Sequence, residues 1–320
     1  MKLIIQIPCL NEEETLPVTI NDLPKEIEGV DEIEYLIIND GSSDRTIEVA
    51  RECGVHHIVH FKTNKGLALA FTAGLDACLK LGADIIVNTD ADNQYCGADI
   101  EKLIKPILDN KLDIVIGERP IMDTAHFSPV KKFFQRFGSW IIRIMSHTTI
   151  PDAPSGFRAY SRDAALRINV VSEYTYTIET IIQAGMKKIS MGSVPIRTNG
   201  VLRPSRLFSS MFTYIKRSGI TILRATMMYK PLKFFITCGT VVFLGGVALG
   251  LRFIYFAITV SSAGHIQSLL LAAVLMILGF LTCVLGLLAD IIAANRKLLE
   301  EIQYRVRKID TEHSHDFIED

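Results

Sequence analysis

Signatures of several common enzyme classes are missing from this chain. No G-x-G-x-x-G follows a strand-like run, so a dinucleotide fingerprint is absent. No G-x-x-x-x-G-K-[ST] occurs, which argues against a P-loop enzyme, and no H-E-x-x-H, which argues against a zinc protease. The six cysteines (Cys9, Cys53, Cys78, Cys96, Cys238, Cys283) include no C-x-x-C pair. Two of them fall in long apolar runs, so they read as reduced, small apolar fillers. Surplus basic charge is lacking too: the formal net charge is -1, which speaks against a nucleic-acid binder. The opening "MKLIIQIPCLNEEE" has too short an apolar stretch for a signal peptide and runs straight into acids, so no cleaved leader is expected.

Apolar length is what the chain does have. Mean hydropathy is +0.28, high for a soluble enzyme, and two runs supply it: "FFITCGTVVFLGGVALGL" (234–251) and "LLLAAVLMILGFLTCVLGLLA" (269–289). Each is long enough to cross a bilayer core, which needs about 20 helical residues. Gly245, Gly246, Gly250, Gly279 and Gly286 suit membrane helices and permit close packing, hence a homo-oligomer. Lys216, Arg217, Arg224, Lys230 and Lys233 precede the first run, and Arg296, Lys297, Arg305, Arg307 and Lys308 follow the second. The connecting "SSAGHIQ" has neither Lys nor Arg. The positive-inside rule then predicts a two-span cell-membrane protein with both termini cytoplasmic.

Ahead of the spans, "KLIIQIP" (2–8), "EYLIIN" (34–39), "HHIVHF" (56–61), "ADIIVNT" (83–89) and "DIVIG" (113–117) read as strands. Helical periods lie between them at 64–82 and 98–111. This alternation predicts an α/β fold with a doubly wound, mainly parallel sheet, whose ligands bind beyond the carboxyl ends of the strands. Asp40 ends the second strand, and Asp90 and Asp92 end the fourth. Successive strand side chains alternate faces, so Asp90 and Asp92 are expected to project together while Ala91 points away; as turn residues they would bond local amides instead. Asn11 is a plausible helix cap, as are Ser42 or Ser43. The basic, aromatic stretches 126–147 and 203–231 have helical spacing; the second adjoins a span and reads as interfacial. The expected organisation is an α/β domain at 1–202, interfacial amphipathic helices at 203–231, two transmembrane helices at 232–292 and a cytosolic tail at 293–320. From about 309 the tail reads as disordered.

Six stretches in order, "IPCLNEEETLP", "NDGSSDRT", "NKGLALAFTAGL", "DADNQY", "IGERP" and "SGFRAYSRDA", resemble family 2 glycosyltransferases. The polyprenyl-phosphate group, dolichyl-phosphate mannose synthase and its glucosyl relatives, is the nearest likeness. "VPIRTNGVLRPSRLF" and the two-span tail strengthen it, and the likeness covers roughly residues 3–308. It implies a glycosyltransferase A-type, Rossmann-like fold followed by interfacial helices and a two-helix transmembrane hairpin. It also implies inverting transfer of a hexose to polyprenyl phosphate at the cytosolic face, with Mg²⁺ or Mn²⁺. Asp90, Asp92 and Gln94 would hold the metal. Pro8, Leu10, Glu12, Ile38, Asp40 and Ala91 would line the nucleotide sugar with them. Arg119 would lie near sugar and acceptor phosphate, Arg136 and Arg158 on the acceptor side. Ser205 and Arg206 would grip phosphate beside Arg203. Asp92, Arg119 and Arg206 would carry the catalysis.

Leu10, Asn39 and Ser193 depart from what many relatives have (Tyr, Asp and Glu), which leaves base and sugar open: UDP-glucose, UDP-N-acetylhexosamine and GDP-mannose are all candidate donors. Two other functions stay open. One is a membrane enzyme acting on a sugar hydroxyl with Glu179 as base, although the Q-x-x-R-W motif of processive synthases is absent. The other is a non-catalytic membrane scaffold that kept the fold. His56, His57, His60, His126 and His147 have no metal-ligand spacing and read as structural.

Overall fold

The structure, a computed structural model, describes residues 1–120, 148, 150–170, 176–200, 219–220, 223–224, 226–259 and 266–316. In chain order these form β1 (Lys2–Cys9), α1 (Leu16–Asp22), β2 (Glu32–Asn39), α2 (Thr46–Glu52), β3 (His57–His60), α3 (Leu67–Lys80) and β4 (Ile85–Asn88). A 3-10 turn (Gly97–Asp99), α4 (Ile100–Leu108), β5 (Ile114–Glu118), β6 (Arg158–Ser161), α5 (Arg162–Arg167), α6 (Tyr176–Lys187) and β7 (Met191–Pro195) follow, then α7 (Pro231–Thr259) and α8 (Ile266–Asp316). Contacts divide the chain into two compact units, Met1–Thr221 with Ile302–Asp320, and Ile222–Glu301.

In the first unit seven strands form one sheet in the order β3-β2-β1-β4-β6-β5-β7. Neighbours run parallel, except that β6 lies antiparallel between β4 and β5. Leu3, Ile4, Ile5 and Ile7 of β1 are all fully buried, because helices cover both faces of such a sheet and its central strands carry no polar side. Gln6 is the polar exception, and its Nε2 donates to Asn88 Oδ1 at 2.9 Å. Gly74 lets α3 lie on this strand, since a Cβ there would run into the Gln6 side chain and Ile38.

Several expectations need correcting. Strands β6 and β7 were not foreseen: "RAYS" and "MGSVP" are short and mix charge, Ser and Gly with few apolar residues. Strand β4 ends at Asn88, so strand alternation does not place Asp90 and Asp92. Asn11 and the serines cap no helix. Thr15 precedes α1 without a capping side-chain bond, and at the start of α2 the Thr46 amide is met by Asp44 Oδ1 at 3.1 Å.

The C-terminal stretch expected to be disordered continues α8 as far as Asp316. Polar bonds tie this end of the helix to the rest of the first unit. Tyr304 donates its hydroxyl to Asp163 at 2.8 Å, and the Arg167 guanidinium lies 4.6 Å over the Tyr304 ring. Arg307 pairs with Asp76 at 3.1 Å and donates to the Ile168 carbonyl at 2.8 Å.

α7 and the part of α8 in the second unit are long and apolar with few buried residues, as lipid-facing spans are and soluble core helices are not. The chain is a membrane protein by these helices. A Cβ on Gly239 would lie 2.7 Å from the Gly279 carbonyl, and one on Gly279 would lie 2.6 Å from the Phe243 amide. Gly246 and Gly286 are equally close to the partner helix. Most of the glycines thought free for an oligomer are therefore spent on packing the two spans together, as small residues do in membranes.

Candidate functional site

The loops leaving β1, β2 and β4 gather at the carboxyl ends of the parallel strands. Asn11, at φ +56°, donates its amide to Ser42 Oγ at 2.9 Å, and its Oδ1 accepts from the Ser43 amide at 2.8 Å. The Glu12 amide donates to Thr46 Oγ1 at 2.9 Å. These bonds lace the first two loops into one rim. Gly41 turns the second loop at φ +73°, against Thr63 and Asn64, where a Cβ would come within 2.5 Å of backbone. Asp40 is 4% exposed and accepts from the Lys65 amide at 2.7 Å and the Gly66 amide at 2.9 Å. It thereby clamps the end of β2 to the start of α3.

Pro8 and Leu10 are partly exposed along this rim. Glu12 is buried and accepts from Thr15 Oγ1 at 2.6 Å. The Ile38 side chain is fully buried, which leaves only its backbone for a ligand.

Asp90, Ala91, Asp92 and Gln94 form a turn just past β4. Ala91 is its anchor, 4% exposed, with a carbonyl that accepts from Thr19 Oγ1 at 2.9 Å. Asp90 and Asp92 flank it, both half-buried. Asp92 Oδ1 accepts from the Gln94 amide at 3.2 Å, and Asn93 takes φ +53° to close the turn. The turn reading and the site reading thus coexist, since one Asp92 oxygen shapes the loop.

Under Asp90 lies Gly156. A Cβ there would stand 3.1 and 3.2 Å from the two Asp90 carboxylate oxygens. The Gly156 peptide is gripped from both sides: its amide donates to Tyr95 Oη at 3.1 Å, and its carbonyl accepts from Asn88 Nδ2 at 2.9 Å. Asn88 Nδ2 also donates to Tyr176 Oη at 2.9 Å. Burial pushes the Tyr95 phenol up to about 12, with the nearby Arg119 charge opposing, so it stays neutral. Sequence reading missed Asn88, Tyr95, Gly156 and Tyr176; the signal available was the "SGF" turn opposite "DADNQY".

Two carboxylates and an amide make an oxygen-only donor set, and among the described residues no group of three or more His, Cys, Asp or Glu could hold a metal. Such a set suits Mg²⁺ or Mn²⁺ shared with substrate phosphates, not a closed structural site. Gly156, lacking a Cβ, lets the Asp90 carboxylate lie close to its backbone, and the oxygen donors of this turn fit that kind of ion by their chemistry.

Arg119 ends β5. Its Nε and Nη2 bond Asp152 at 2.8 and 3.0 Å, and Asp152 is fully buried. Burial opposes the Arg119 charge, but the Asp152 and Asp90 carboxylates outweigh it and hold the guanidinium protonated. Arg158 is a correction. Its side chain is fully buried, donating to the Ser155 and Ala153 carbonyls at 2.8 and 2.7 Å and to Thr180 Oγ1 at 2.6 Å. It is an internal strut with no surface to offer an acceptor phosphate. Glu179 is buried in α6 and accepts from Gln183 Nε2 at 3.2 Å. Arg136, Arg203, Ser205 and Arg206 lie outside the described residues.

This architecture, a mostly parallel sheet with a carboxylate turn past one strand, is that of the A-type glycosyltransferases. The solved glucosyl-3-phosphoglycerate synthase of Mycobacterium tuberculosis, in complex with Mn²⁺, UDP and glucosyl-3-phosphoglycerate, shares the fold. Its TM-score is 0.54 at 16% identity, over 71% of this chain and 78% of that one. The chain belongs to glycosyl transferase family 2, whose model matches residues 4–168, and it is a glycosyltransferase. The UDP-N-acetylglucosamine–dolichyl-phosphate N-acetylglucosaminyltransferase of Methanococcus voltae is 31% identical over 60% of this chain and 83% of its own length. The undecaprenyl-phosphate mannosyltransferase of Micrococcus luteus is 30% identical over 53% of this chain and 70% of its own.

Proposed function

We propose that this enzyme transfers a hexose from a nucleotide-diphosphate sugar to a polyprenyl phosphate at the cytosolic face of a membrane. What carries the proposal is the similarity to two relatives named for dolichyl and undecaprenyl phosphate, in a chain that has its own pair of apolar helices. The 1–202 region serves as the catalytic domain, 203–231 as the interfacial element, 232–292 as the anchor and 293–320 as a cytosolic extension.

The rim of Pro8, Leu10, Glu12, the Ile38 backbone and Asp40 takes the nucleotide. Asp90, Asp92 and Gln94 would hold Mg²⁺ or Mn²⁺, which would supply positive charge to neutralise the leaving diphosphate. Arg119 is held in one orientation by Asp152 and presents a fixed cation to the acceptor phosphate. Arg136, Arg203, Ser205 and Arg206 complete the acceptor side, Arg206 also reaching the donor. The acceptor attacks the anomeric carbon in line and inverts it, so an α-linked donor gives a β-linked lipid product.

No protein base is required. A phosphate monoester has its second pKa near 6, so one oxygen is already anionic at neutral pH. The burial of Glu179 fits that chemistry better than a base working at an open acceptor site. UDP-glucose, UDP-N-acetylhexosamine and GDP-mannose all remain candidate donors.

The test is label transfer into the organic phase from each nucleotide sugar with a short polyprenyl phosphate and Mn²⁺. Label from one donor, lost with EDTA and in Asp92→Asn, is expected. Label that survives both controls, or transfer only to a sugar hydroxyl, would sink the proposal. NMR of the product checks inversion.

A further inference from the structure

Just past the carboxylate turn, residues 94–96 pair antiparallel with 197–199, the stretch that leaves β7. The Asn199 amide donates to the Gln94 carbonyl at 2.9 Å and the Cys96 amide to the Arg197 carbonyl at 3.4 Å, around a single bridge between Tyr95 and Thr198. So short a ladder holds little by itself. A side chain reinforces it: Asn199 Nδ2 donates to the Tyr95 carbonyl and to Asp22 Oδ2, both at 3.3 Å. Both partners are acceptor oxygens, which fixes the end of the amide that faces them.

Asp22, at the end of α1, completes the ring of contacts. Its Oδ2 also accepts from the Gly97 amide at 2.7 Å. Gly97 lies so near that a Cβ there would come within 2.1 Å of the Asp22 carbonyl oxygen. Helix α1 therefore grips both ends of the turn, Ala91 through Thr19 and Gly97 through Asp22, while Asn199 holds its middle. The middle is where Gln94 stands. The Gln94 peptide serves two of the three oxygen donors, since it carries the Gln94 side chain and its amide donates to Asp92 Oδ1 at 3.2 Å. Asn93, immediately before it, sits in the left-handed region at φ +53°, a conformation that lasts only where the surroundings fix it. A residue over 100 positions away in sequence thus sets the backbone from which two donors are aimed.

We propose that Asn199 is a positioning residue for the divalent cation, acting through the Gln94 and Tyr95 carbonyls to orient Gln94 and Asp92. The inference rests on the proposed assignment of Asp90, Asp92 and Gln94 to that ion, and Mn²⁺ titration of the full-length protein by EPR, without donor or acceptor, separates the two. Wild type should bind Mn²⁺ and Asp92→Asn should not; equal binding by both, or none by wild type, would remove the assignment and this inference with it. Asn199→Ala should bind Mn²⁺ about tenfold more weakly, the loss typical of a removed supporting residue, and turnover lost at limiting Mn²⁺ should return in excess Mn²⁺. Asp99→Asn is the control: it weakens the neighbouring tie to Arg197 without touching Gln94 or Tyr95, so its Mn²⁺ affinity should match wild type. If Asn199→Ala lowers the thermal transition more than Asp99→Asn does, Asn199→Gln takes its place; its amide sits one methylene out of position, and the same loss is expected. Wild-type affinity in the Asn199 variant, or an equal loss in Asp99→Asn, would overturn the proposal and leave the assignment standing.

Discussion

Gly156 has no side chain for chemistry, yet Tyr95, Asn88 and Tyr176 converge on its peptide and Asp90 rests against its α-carbon. A methyl group at that position must push against the Asp90 oxygens at 3.1 and 3.2 Å, closer than a relaxed carbon–oxygen contact. Gly156→Ala should therefore keep the fold and lower Mn²⁺ affinity by about tenfold, the size typical of a disturbed supporting residue. Mn²⁺ titration by EPR reads this without turnover, and unchanged affinity would separate Gly156 from the site. The two Asp bracketing one Ala after an apolar run stood out in the sequence, but alone they read as turn residues, and only the family resemblance gave them a metal-holding role. Their support was not legible, because Asn88, Tyr95 and Gly156 meet only after β6 pairs with β4. Arg158 shows the opposite failure. A motif match carries a residue type forward, but which way a guanidinium points depends on the Ser155 and Ala153 carbonyls around it.

Among the elements, β1, β2, β4 and β5 were readable because buried sheet strands are near-continuous apolar runs, and the half-buried edge strand β3 by its short Ile-Val core. β6 and β7 were not, since pairing with neighbours stabilises them rather than their own composition. The segment after the carboxylate turn depends on such tertiary pairing. Asp99, fully buried at the end of the 3-10 turn, accepts from the Arg197 side chain at 2.8 Å and from Lys102 at 2.8 Å, tying α4 to the strand exit of β7. Burial pushes its carboxyl up, but Arg197 and Lys102 outweigh that and hold it at about 2. A carboxyl held below its unfolded value stabilises the fold above about pH 4 and loses that contribution as the pH falls toward 2. Its cationic partners are exposed and screened, so the contribution is about 1 kcal/mol. Asp99→Asn should be less stable than wild type by this amount at pH 7, with the gap closing by pH 2. A gap constant across that range in thermal melts would show that the ion pairs contribute nothing.

At the scale of the molecule, two independent observations bear on the sidedness of the membrane anchor. Five Lys and Arg residues lie before the first span and five after the second, with none in the connector, which predicts both ends inside. Tyr304 and Arg307, past the second span, bond Asp163 and Asp76 of the N-terminal domain within one compact unit. That contact agrees with an even number of crossings between the two ends, independently of the charge rule. The sequence could supply the first observation and not the second, because its polar, acidic end reads as a loose tail until its bonding partners on α3 and α5 are placed. In intact cells, a membrane-impermeant maleimide should label Ala263→Cys in the connector and leave Glu312→Cys untouched until the membrane is opened. Labelling of both in intact cells, or of Glu312→Cys alone, would place the catalytic domain outside and remove the cytosolic nucleotide-sugar pool as the donor source. Breaking the contact by Arg307→Ala should leave this labelling pattern unchanged, since the spans and their flanking charges set it, while increasing protease cleavage after the second span.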